Sequence, residues 1–389
     1  MHGAVGALIL LNSSSAFDTV DHQIMCDVLR RRFDVRDAAL DWFRSYFTDR
    51  TQVIAIGSGV STLQHLVAGV PQGSVFGPRA FIAYSEDVVD ILSGHGVAHH
   101  LYADDIQGTK HDKPSNANTV ARGLESCVVS VGGWCRPKRL QLNESKTEVM
   151  WFGSSRNLSK VNADETRLHI DSDIIAPSNV VRDLGVFLDS ELNMKTHIAR
   201  TSRACFYHLR RLRAVRSRLG QNIAARLVSA FVLSRVDYCN AILAGLPAST
   251  LAPLQKVINA AARLVLNLKP HDHITAALRA LHWLPIKQRI DYKLCLLVHL
   301  ALIGHAPVYL SELLLPVANI PARSSLRSAD NQLLDVPRTR LAIGDRAFAV
   351  VATRAWNRLP SELRLTTNTV HLKNQLKTYL FVEAFHSPN

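Results

Sequence analysis

Two adjacent carboxylates, in the tetrapeptide Tyr102-Ala103-Asp104-Asp105, are the residues best suited to chemistry. Neighbouring aspartates that follow an apolar stretch can hold two Mg²⁺ ions about 4 Å apart, which is an arrangement that serves nucleotidyl transfer. An acidic pair on its own is more often a solvated turn. The tetrapeptide therefore predicts a metal site only in combination with the segments around it.

The elements around the acidic pair form a mixed pattern of helices and strands. The apolar run from Ala4 to Leu11 predicts a buried strand. The segment from Val97 to Ile106 predicts a hairpin that projects both carboxylates from the edge of a sheet. Further helices are predicted near residues 21–33, 38–47, 78–92 and 116–135, and further strands near 53–56 and 146–152. The pattern indicates an α+β fold.

The composition favours a partner that carries negative charge. The formal net charge is +13 and the isoelectric point is about 9.7. Since the sequence has no long apolar run and no basic amphipathic anchor, nucleic acid is favoured over a membrane. The run from Ala4 to Leu11 is too short to span a bilayer, and no Lys or Arg precedes it, so we interpret it as a strand rather than as a signal peptide. We expect an intracellular protein, nuclear or cytoplasmic, that is not secreted.

The six cysteines are scattered along the chain, and none forms a C-x-x-C pair. This spacing argues against a disulfide framework and favours a reducing compartment. His95, His99 and His100 lie close together, but no cysteine pair accompanies them. We therefore expect no zinc site.

A basic segment begins after residue 190. From Lys195 to Arg235 there are ten Lys or Arg and no Asp or Glu. A helical period places five of the arginines on one side, opposite an apolar side; these five are Arg200, Arg203, Arg210, Arg211 and Arg218. An ordinary solvated face has the same pattern, but a run of this length without an acid favours a surface that contacts phosphates.

Five motifs occur in order, and together they resemble the reverse transcriptase of a non-LTR (LINE-type) retrotransposon of the jockey or chicken-repeat kind. They are residues 11–22 (LNSSSAFDTVDH), 69–78 (GVPQGSVFGP), 102–105 (YADD), 142–148 (LNESKTE) and 183–186 (DLGV). The resemblance continues through residues 234–240 (SRVDYCN) and 282–285 (HWLP), and so extends over essentially the whole chain. It is carried by the order of the motifs, because five motifs in sequence coincide by chance far less often than any one of them.

The resemblance implies an architecture and a set of partners. It implies a polymerase palm, an antiparallel sheet with packed helices, over residues 1–190, a helical thumb over 191–270 and a helical C-terminal region over 271–389. It also implies an RNA-directed DNA polymerase that uses an RNA template, a DNA primer, deoxynucleoside triphosphates and two Mg²⁺ ions.

The resemblance also assigns roles to particular residues. Asp104 and Asp105 would bind the metal ions, and Lys146 would lie near the departing pyrophosphate. Phe17 would lie beneath the incoming sugar, and Gln72 with Gly73 would contact template and nucleotide. Leu184 and Gly185 would grip the primer terminus. Ordinary core packing at Phe17, a plain turn at Gln72 and Gly73, and simple exposure at Lys146 are the alternatives.

The sequence departs from the family pattern at a position that matters for catalysis. The third metal-binding carboxylate of the family lies five residues before the aromatic, and that position is Asn12, which offers an amide oxygen but no charge. Asp18 lies six residues further on, past the end of the strand, and could reach the same point only if the turn were rebuilt. Arg79-Ala80 stands where the family usually has Leu-Leu, and Ser85-Glu86 where it has Ile-Asn. We also expect that the fingers segment and the endonuclease of the family are missing, which would make this a truncated, decaying copy.

Two functions follow from the sequence. The first is a reverse transcriptase domain that is impaired in this copy, and the second is a catalytically dead remnant that still binds nucleic acid. A group II intron maturase or an RNA-dependent RNA polymerase is a weaker alternative, because the string from Ala16 to His22 and the C-terminal motifs argue against it. Both main functions predict that Asn12, Asp104 and Asp105 meet at the ends of neighbouring strands.

Overall fold

The computed structural model describes residues 3–14, 17–71, 73–143, 146–162, 164–170, 173–321 and 332–386. The contacts within the chain divide it into two units, residues 1–185 with 189–192 and residues 186–188 with 193–389. The helices and strands of each unit pack around a separate hydrophobic core.

The first unit is a mixed helix and sheet structure. Its strands are β1 (Val5–Asn12), β2 (Thr51–Gln52), β3 (Ala55–Ile56), β4 (Gly59–Val60), β5 (Gln64–His65), β6 (Ala98–Tyr102), β7 (Asp105–Asp112), β8 (Glu148–Phe152), β9 (Leu168–Ile170), β10 (Asp173–Ile175) and β11 (Val180–Asp183). Its helices are α1 (His22–Arg32), α2 (Asp37–Phe47), α3 (Gly77–Ser85), α4 (Val88–Gly94), α5 (Ala117–Cys135) and α6 (Ser155–Leu158).

The central sheet of this unit has four antiparallel strands in the order β6-β7-β1-β8. One face is apolar and packs on α5: Ile9 and Leu11 of β1 and Ile106 of β7 share a core with Leu124 and Val128 of α5. Because side chains alternate between the two faces of a strand, the neighbouring residues Asn12, Asp105 and Gln107 belong to the opposite face. The buried face therefore fixes the register that brings the polar residues together.

Several predicted elements of the first unit are confirmed: β1, α1, α2, the β6-β7 hairpin, α5 and β8. The helix predicted near 78–92 is wrong in one respect, because it is divided into α3 and α4. Between them Asp87 accepts hydrogen bonds from Lys138 Nζ (2.6 Å) and Trp134 Nε1 (3.0 Å), which are tertiary contacts. The strand predicted at 53–56 is also only partly right, because just Ala55–Ile56 pairs, in a short exposed ribbon with β4.

In the part of the chain that the structure describes, the second unit contains residues 186–188 of β12 (Val186–Asp189), which follows β11 along the chain, and a series of helices. These are α7 (Lys195–Val215), α8 (Gln221–Val228), α9 (Ser234–Asp237), α10 (Ala248–Leu266), α11 (Ile274–Ala280), α12 (Ile286–Leu302), α13 (Val308–Ser311), α14 (Phe348–Asn357), α15 (Ser361–Arg364) and α16 (Thr369–His386). One core runs from Ile198 of α7 through Val257 of α10 and Leu294 of α12 to Leu376 of α16. The separation of residues 191–270 from 271–389 stays a prediction. Among the described residues, no helix is long and apolar enough to cross a membrane.

Helix α7 ends earlier than its sequence pattern suggests. It stops at Val215, and residues Arg216–Arg218 form a tighter 3₁₀ turn. Arg216 causes this ending, because its guanidinium donates to the carbonyl oxygens of Leu264 and Val265 (both 2.8 Å) at the end of α10. Arg218 therefore lies beyond the end of α7 and is exposed, and its place on the face of the other four arginines stays a prediction.

Candidate active site

The candidate site is built where β1 and β7 end. Asn12 is the direct cross-strand partner of Asp105, and Tyr102 of β6 is the partner of Asp105 on its other side. Asn12 Nδ2 donates to Asp105 Oδ1 at 2.8 Å and to Asp104 Oδ2 at 3.4 Å. The predicted convergence of these three side chains is confirmed, and the register of the two strands accounts for it.

The two aspartates are presented by a tight hairpin turn. Ala103 has a φ of +52°, a left-handed conformation that is uncommon for a residue with a Cβ. Tight two-residue turns of antiparallel strands favour this conformation because it matches the twist of the strands. The turn brings Asp104 and Asp105 to the tip of the hairpin, and both side chains are half-buried there.

A cleft of about 400 Å³ opens beside Asn12 and Asp105. Lys146 and Leu184, two residues singled out by their motifs, also line it. Lys146 is exposed, and its backbone N–H donates to the carbonyl oxygen of Asn143 at 3.1 Å. The backbone N–H of Asn143 in turn donates to the carbonyl oxygen of Asn12 at 2.8 Å. The fourth motif is thus attached directly to the end of β1, which explains why Lys146 reaches this cleft.

Four more polar residues line the same cleft: Gln107, Glu148, Arg182 and Asp183. Glu148 and Asp183 belong to the fourth and fifth motifs but have no role assigned from the sequence, and Gln107 and Arg182 lie outside all five motifs. Gln107 Nε2 donates to Asp183 Oδ1 at 2.8 Å. Burial raises the pKa of the Asp183 carboxyl above its usual value, and the negative charge of Asp105 raises it further. A signal for Gln107 was present, because it lies two residues after Asp105 and so shares its face of the strand.

Leu184 and Gly185 form the turn between β11 and β12, as the fifth motif suggests. Both have positive φ values, +42° and +84°. Leu184 lines the cleft, and Gly185 is the next residue of the turn. The turn conformation fits glycine at the second position, since glycine carries no Cβ.

Phe17 and Gly73 are not among the residues that line the cleft. Phe17 is half-buried with its ring 5.1 Å from that of Phe81, and its carbonyl oxygen accepts from the nitrogen of Val70 at 2.9 Å. Gly73 is exposed and has a φ of +81°. Gln72 lies outside the described residues. Their contact with nucleotide or template stays a prediction.

Gly69 joins the first and second motifs. Its nitrogen donates to the Val20 carbonyl oxygen at 2.8 Å, and its own carbonyl oxygen lies 2.8 Å from His22 Nε2. Its φ is +93°, and a Cβ at this position would lie 3.1 Å from the Asp18 carbonyl oxygen. Asp18 is therefore held in this loop, is exposed, and is not among the residues that line the cleft.

The arginines of the basic segment belong to the second unit. Arg200, Arg203, Arg210 and Arg211 lie on α7 and are exposed, whereas Ile198, Cys205 and Leu209 of the same helix are buried. The amphipathic pattern of this helix is therefore confirmed.

The metal-binding capacity of the first unit rests on few ligands. Over the part of the chain that the structure describes, no group of three or more His, Cys, Asp or Glu side chains is arranged to hold a metal ion. All six cysteines are free thiols. At the candidate site the carboxylates of Asp104 and Asp105 are available oxygen donors, and the amide of Asn12 contacts both.

Comparison with known proteins gives consistent matches. Residues 4–186 match the family model described as reverse transcriptase (RNA-dependent DNA polymerase). The chain is 27% identical over 210 residues to the probable RNA-directed DNA polymerase from transposon BS of Drosophila melanogaster. This alignment covers 53% of this chain and 22% of that protein. The chain is 26% identical over 210 residues to the RNA-directed DNA polymerase from mobile element jockey of the same species, covering 52% and 21%.

The matched part is small relative to these relatives, since the alignments span about a fifth of their length. Among solved structures, telomerase from Candida albicans in complex with a fragment of telomeric RNA is similar at 12% identity and a TM-score of 0.35, covering 74% of this chain and 47% of that chain. A structural similarity of that size adds nothing to the sequence matches.

Proposed function

Because residues 4–186 belong to the reverse transcriptase (RNA-dependent DNA polymerase) family, in its non-LTR retrotransposon branch, we propose that this chain binds an RNA template with a DNA primer but catalyses nucleotidyl transfer poorly. The four-stranded sheet and its helices would be the polymerase palm, within residues 1–190. The helices of 191–270 would form the thumb, and those of 271–389 a C-terminal region. With such substrates, the chain would act in the nucleus or the cytoplasm.

The contact that carries this proposal is the one between Asn12 and the two aspartates. In the family pattern a third carboxylate occupies this position. Here an amide donates to Asp105 Oδ1 at 2.8 Å and reaches Asp104 Oδ2 at 3.4 Å. The amide partly compensates the negative charge of the aspartates, which is the task of a cation in a working site. It therefore stabilises the site in the absence of metal and competes with a metal ion for the same oxygens.

The donor set fits a hard divalent cation, although with one charge fewer than the family pattern. Reverse transcriptases in general use divalent metal ions. Here Asp104 and Asp105 would hold Mg²⁺, and the amide oxygen of Asn12 would be a third ligand if the amide group rotated to exchange its oxygen and nitrogen. When bound, Mg²⁺ would supply positive charge to the phosphates of the nucleotide. Two carboxylates support one such ion better than two, so the two-metal arrangement is weakened.

The remaining motif residues would position the substrates. Lys146, exposed at the rim of the cleft, would bind the phosphates that leave, and the turn of Leu184 and Gly185 would hold the primer terminus. Phe17, fixed against Phe81 (5.1 Å), would lie under the sugar, where a ring could exclude a 2′-hydroxyl. Gln72 and Gly73 would contact the template and the nucleotide.

A second candidate is a catalytically dead remnant that binds nucleic acid only. It is favoured by the exposed arginines of α7 (Arg200, Arg203, Arg210 and Arg211), because these do not depend on Asn12 or on metal. The two candidates differ only in whether any catalysis remains.

Primer extension with a binding control tests the proposal. The purified chain would be mixed with a labelled DNA primer annealed to an RNA template, Mg²⁺ and the four deoxynucleotides, and binding of the same primer and template would be followed by fluorescence anisotropy. We expect binding that weakens as salt is raised, and no measurable extension. Robust extension would overturn the claim of impairment, and an absence of binding would overturn the claim that the chain holds primer and template. Weak extension that Asp105→Asn abolishes would support the first candidate over the second.

A further inference from the structure

An aromatic residue lies in the middle of the arginine face of α7. Tyr207 is 48% exposed. Arg200 and Arg203 precede it by seven and four residues, and Arg210 and Arg211 follow it by three and four. On a helix these spacings place all five side chains on one face. The arginine face therefore presents a ring as well as positive charge.

Among the residues that the structure describes, the four arginines do not pair with acidic side chains. Within the described residues none of them forms an ion pair, and the sequence from Lys195 to Arg235 contains no acid. Arg200 rests on an aromatic ring instead, with its guanidinium 4.1 Å from the centre of the Phe187 ring. Arg211 lies 5.7 Å from the centre of the Tyr207 ring, and its Nη1 donates to the Tyr207 hydroxyl at 3.4 Å. A guanidinium above a ring, as at Arg200, keeps its N–H groups available for phosphate oxygens. Arg211 uses one donor on Tyr207, and a guanidinium has five N–H donors in all.

Arg216 provides the contrast within the same basic segment. Its three donor groups bind the carbonyl oxygens of Leu219, Leu264 and Val265. This arginine belongs to the fold, because it closes the ends of two helices. The structure thus separates the basic residues that support the fold from those that face solvent.

Tyr207 is one end of a row of three rings. The ring of His208 lies 5.4 Å from that of Tyr207, and the ring of Phe231 lies 5.5 Å from that of His208, nearly parallel to it. Phe231 is 44% exposed and lies on the π-helical turn Ser229–Leu233, an irregularity that is frequent at functional sites. Burial and the nearby Arg235 and Arg211 lower the pKa of His208. These surroundings disfavour the charged form of the middle ring.

Phosphate binding alone does not call for exposed rings, whereas stacking on unpaired bases does. A duplex offers its phosphates to arginines but keeps the faces of its bases inside the stack. We propose that the aromatic row, Tyr207, His208 and Phe231, stacks on the unpaired bases of single-stranded nucleic acid while Arg200, Arg203, Arg210 and Arg211 hold its phosphates. The proposal rests on the nucleic-acid binding proposed above and adds a preference for single strands.

Anisotropy titrations of the full-length chain test this preference. The ligands are a labelled 12-nucleotide RNA, the DNA of the same sequence, and the 12-base-pair DNA duplex. The variants are Tyr207→Ala, Tyr207→Phe and Arg210→Gln, with Tyr309→Ala as a control at an exposed tyrosine of the same unit (51% exposed). Circular dichroism checks that each variant keeps the helical content of the wild type.

We expect Tyr207→Ala to weaken single-strand binding by about ten-fold or more and duplex binding by less than about two-fold, with an unchanged salt slope. Tyr207→Phe and Tyr309→Ala should bind as the wild type does. Arg210→Gln should weaken both ligands and lower the salt slope by about one. If the single-stranded RNA and the single-stranded DNA bind equally, the site recognises the bases and not the sugar. If one of them binds more tightly, stacking is still supported and that strand is the preferred ligand.

Two results would overturn the proposal. If Tyr207→Ala leaves single-strand binding unchanged, or weakens single strand and duplex alike, the ring does not stack on bases, although the binding of nucleic acid by the chain stands. If the wild type binds none of the three ligands, the proposed function fails and the stacking proposal fails with it.

Discussion

Replacing Asn12 with Asp should create a divalent-cation site much stronger than that of the wild type. The change converts a donor that lies 2.8 Å from Asp105 Oδ1 and 3.4 Å from Asp104 Oδ2 into a third carboxylate at the same place. One added negative charge about 4 Å from a divalent ion contributes about 2 kcal/mol even at the dielectric constant of water. We therefore expect the dissociation constant for Mn²⁺ or Mg²⁺ to fall by about thirty-fold.

The same change should destabilise the protein when metal is absent. Asn12→Asp removes both hydrogen bonds and places three negative charges together, which should lower the free energy of unfolding by about 1–3 kcal/mol. In the presence of EDTA the variant should melt at a lower temperature than the wild type. Mn²⁺ should then raise its melting temperature more than that of the wild type, since a ligand that binds only the folded state stabilises it.

Isothermal titration with Mn²⁺ at pH 7 measures the affinity, and thermal melts with EDTA or Mn²⁺ measure the stability. Asn12→Ala is the matched control, because it removes the amide without adding charge. The double variant Asn12→Asp, Asp105→Asn should lose the gain in affinity. The reasoning is refuted if Asn12→Asp binds Mn²⁺ no more tightly than Asn12→Ala, because the three side chains would then not form one site.

Three further predictions concern stability. Gly69→Ala should lower the free energy of unfolding by about 1–3 kcal/mol, since its φ of +93° strains any residue with a Cβ. Chemical denaturation measures this free energy. The control is Gly133→Ala, at an open position on helix α5, which should be neutral or stabilising. Arg216→Ala should cost about 1–3 kcal/mol through its lost bonds to carbonyl oxygens, whereas the exposed Arg213→Ala should change the unfolding midpoint little. Burial raises the pKa of Asp291 in the folded state, so the folded protein binds a proton more readily than the unfolded chain. The wild type should therefore gain stability relative to Asp291→Asn as the pH falls through that raised pKa, and a constant difference between pH 7 and pH 4 would contradict this.

The elements that sequence reasoning predicted well are those whose pattern is local. The strand β1 was predicted from an apolar run, α5 as a helix near residues 116–135, and the β6-β7 hairpin as two strands about a short turn. Each of these is stabilised mainly by its own periodicity and by the face it buries. The convergence of Asn12 with Asp104 and Asp105 followed from the motifs and is accounted for by the register.

The features that were missed depend on residues distant in sequence. The break between α3 and α4 is held by Lys138 and Trp134, about fifty positions away. The end of α7 is set by the binding of Arg216 to the end of α10. Asp183 reaches the cleft through Gln107, a contact between residues 76 positions apart. No local pattern contains such contacts, because each arises only when the cores have formed.

The substitution at position 12 separates the requirements of folding from those of catalysis. Three carboxylates at one point repel one another and are tolerated only when a cation offsets their charge. An asparagine of nearly the same size fills the same space, and here it donates to both remaining carboxylates, so the fold no longer depends on the cation. If this change removes the chemistry, as proposed, it also relieves electrostatic strain in the unliganded protein, which agrees with the general opposition between stability and activity at catalytic sites. It follows that the four-stranded sheet does not need a working catalytic site to keep its register and its cleft. A well-formed cleft is therefore no measure of activity in this chain, and the affinity for a divalent ion is the property that separates a working site from a preserved one.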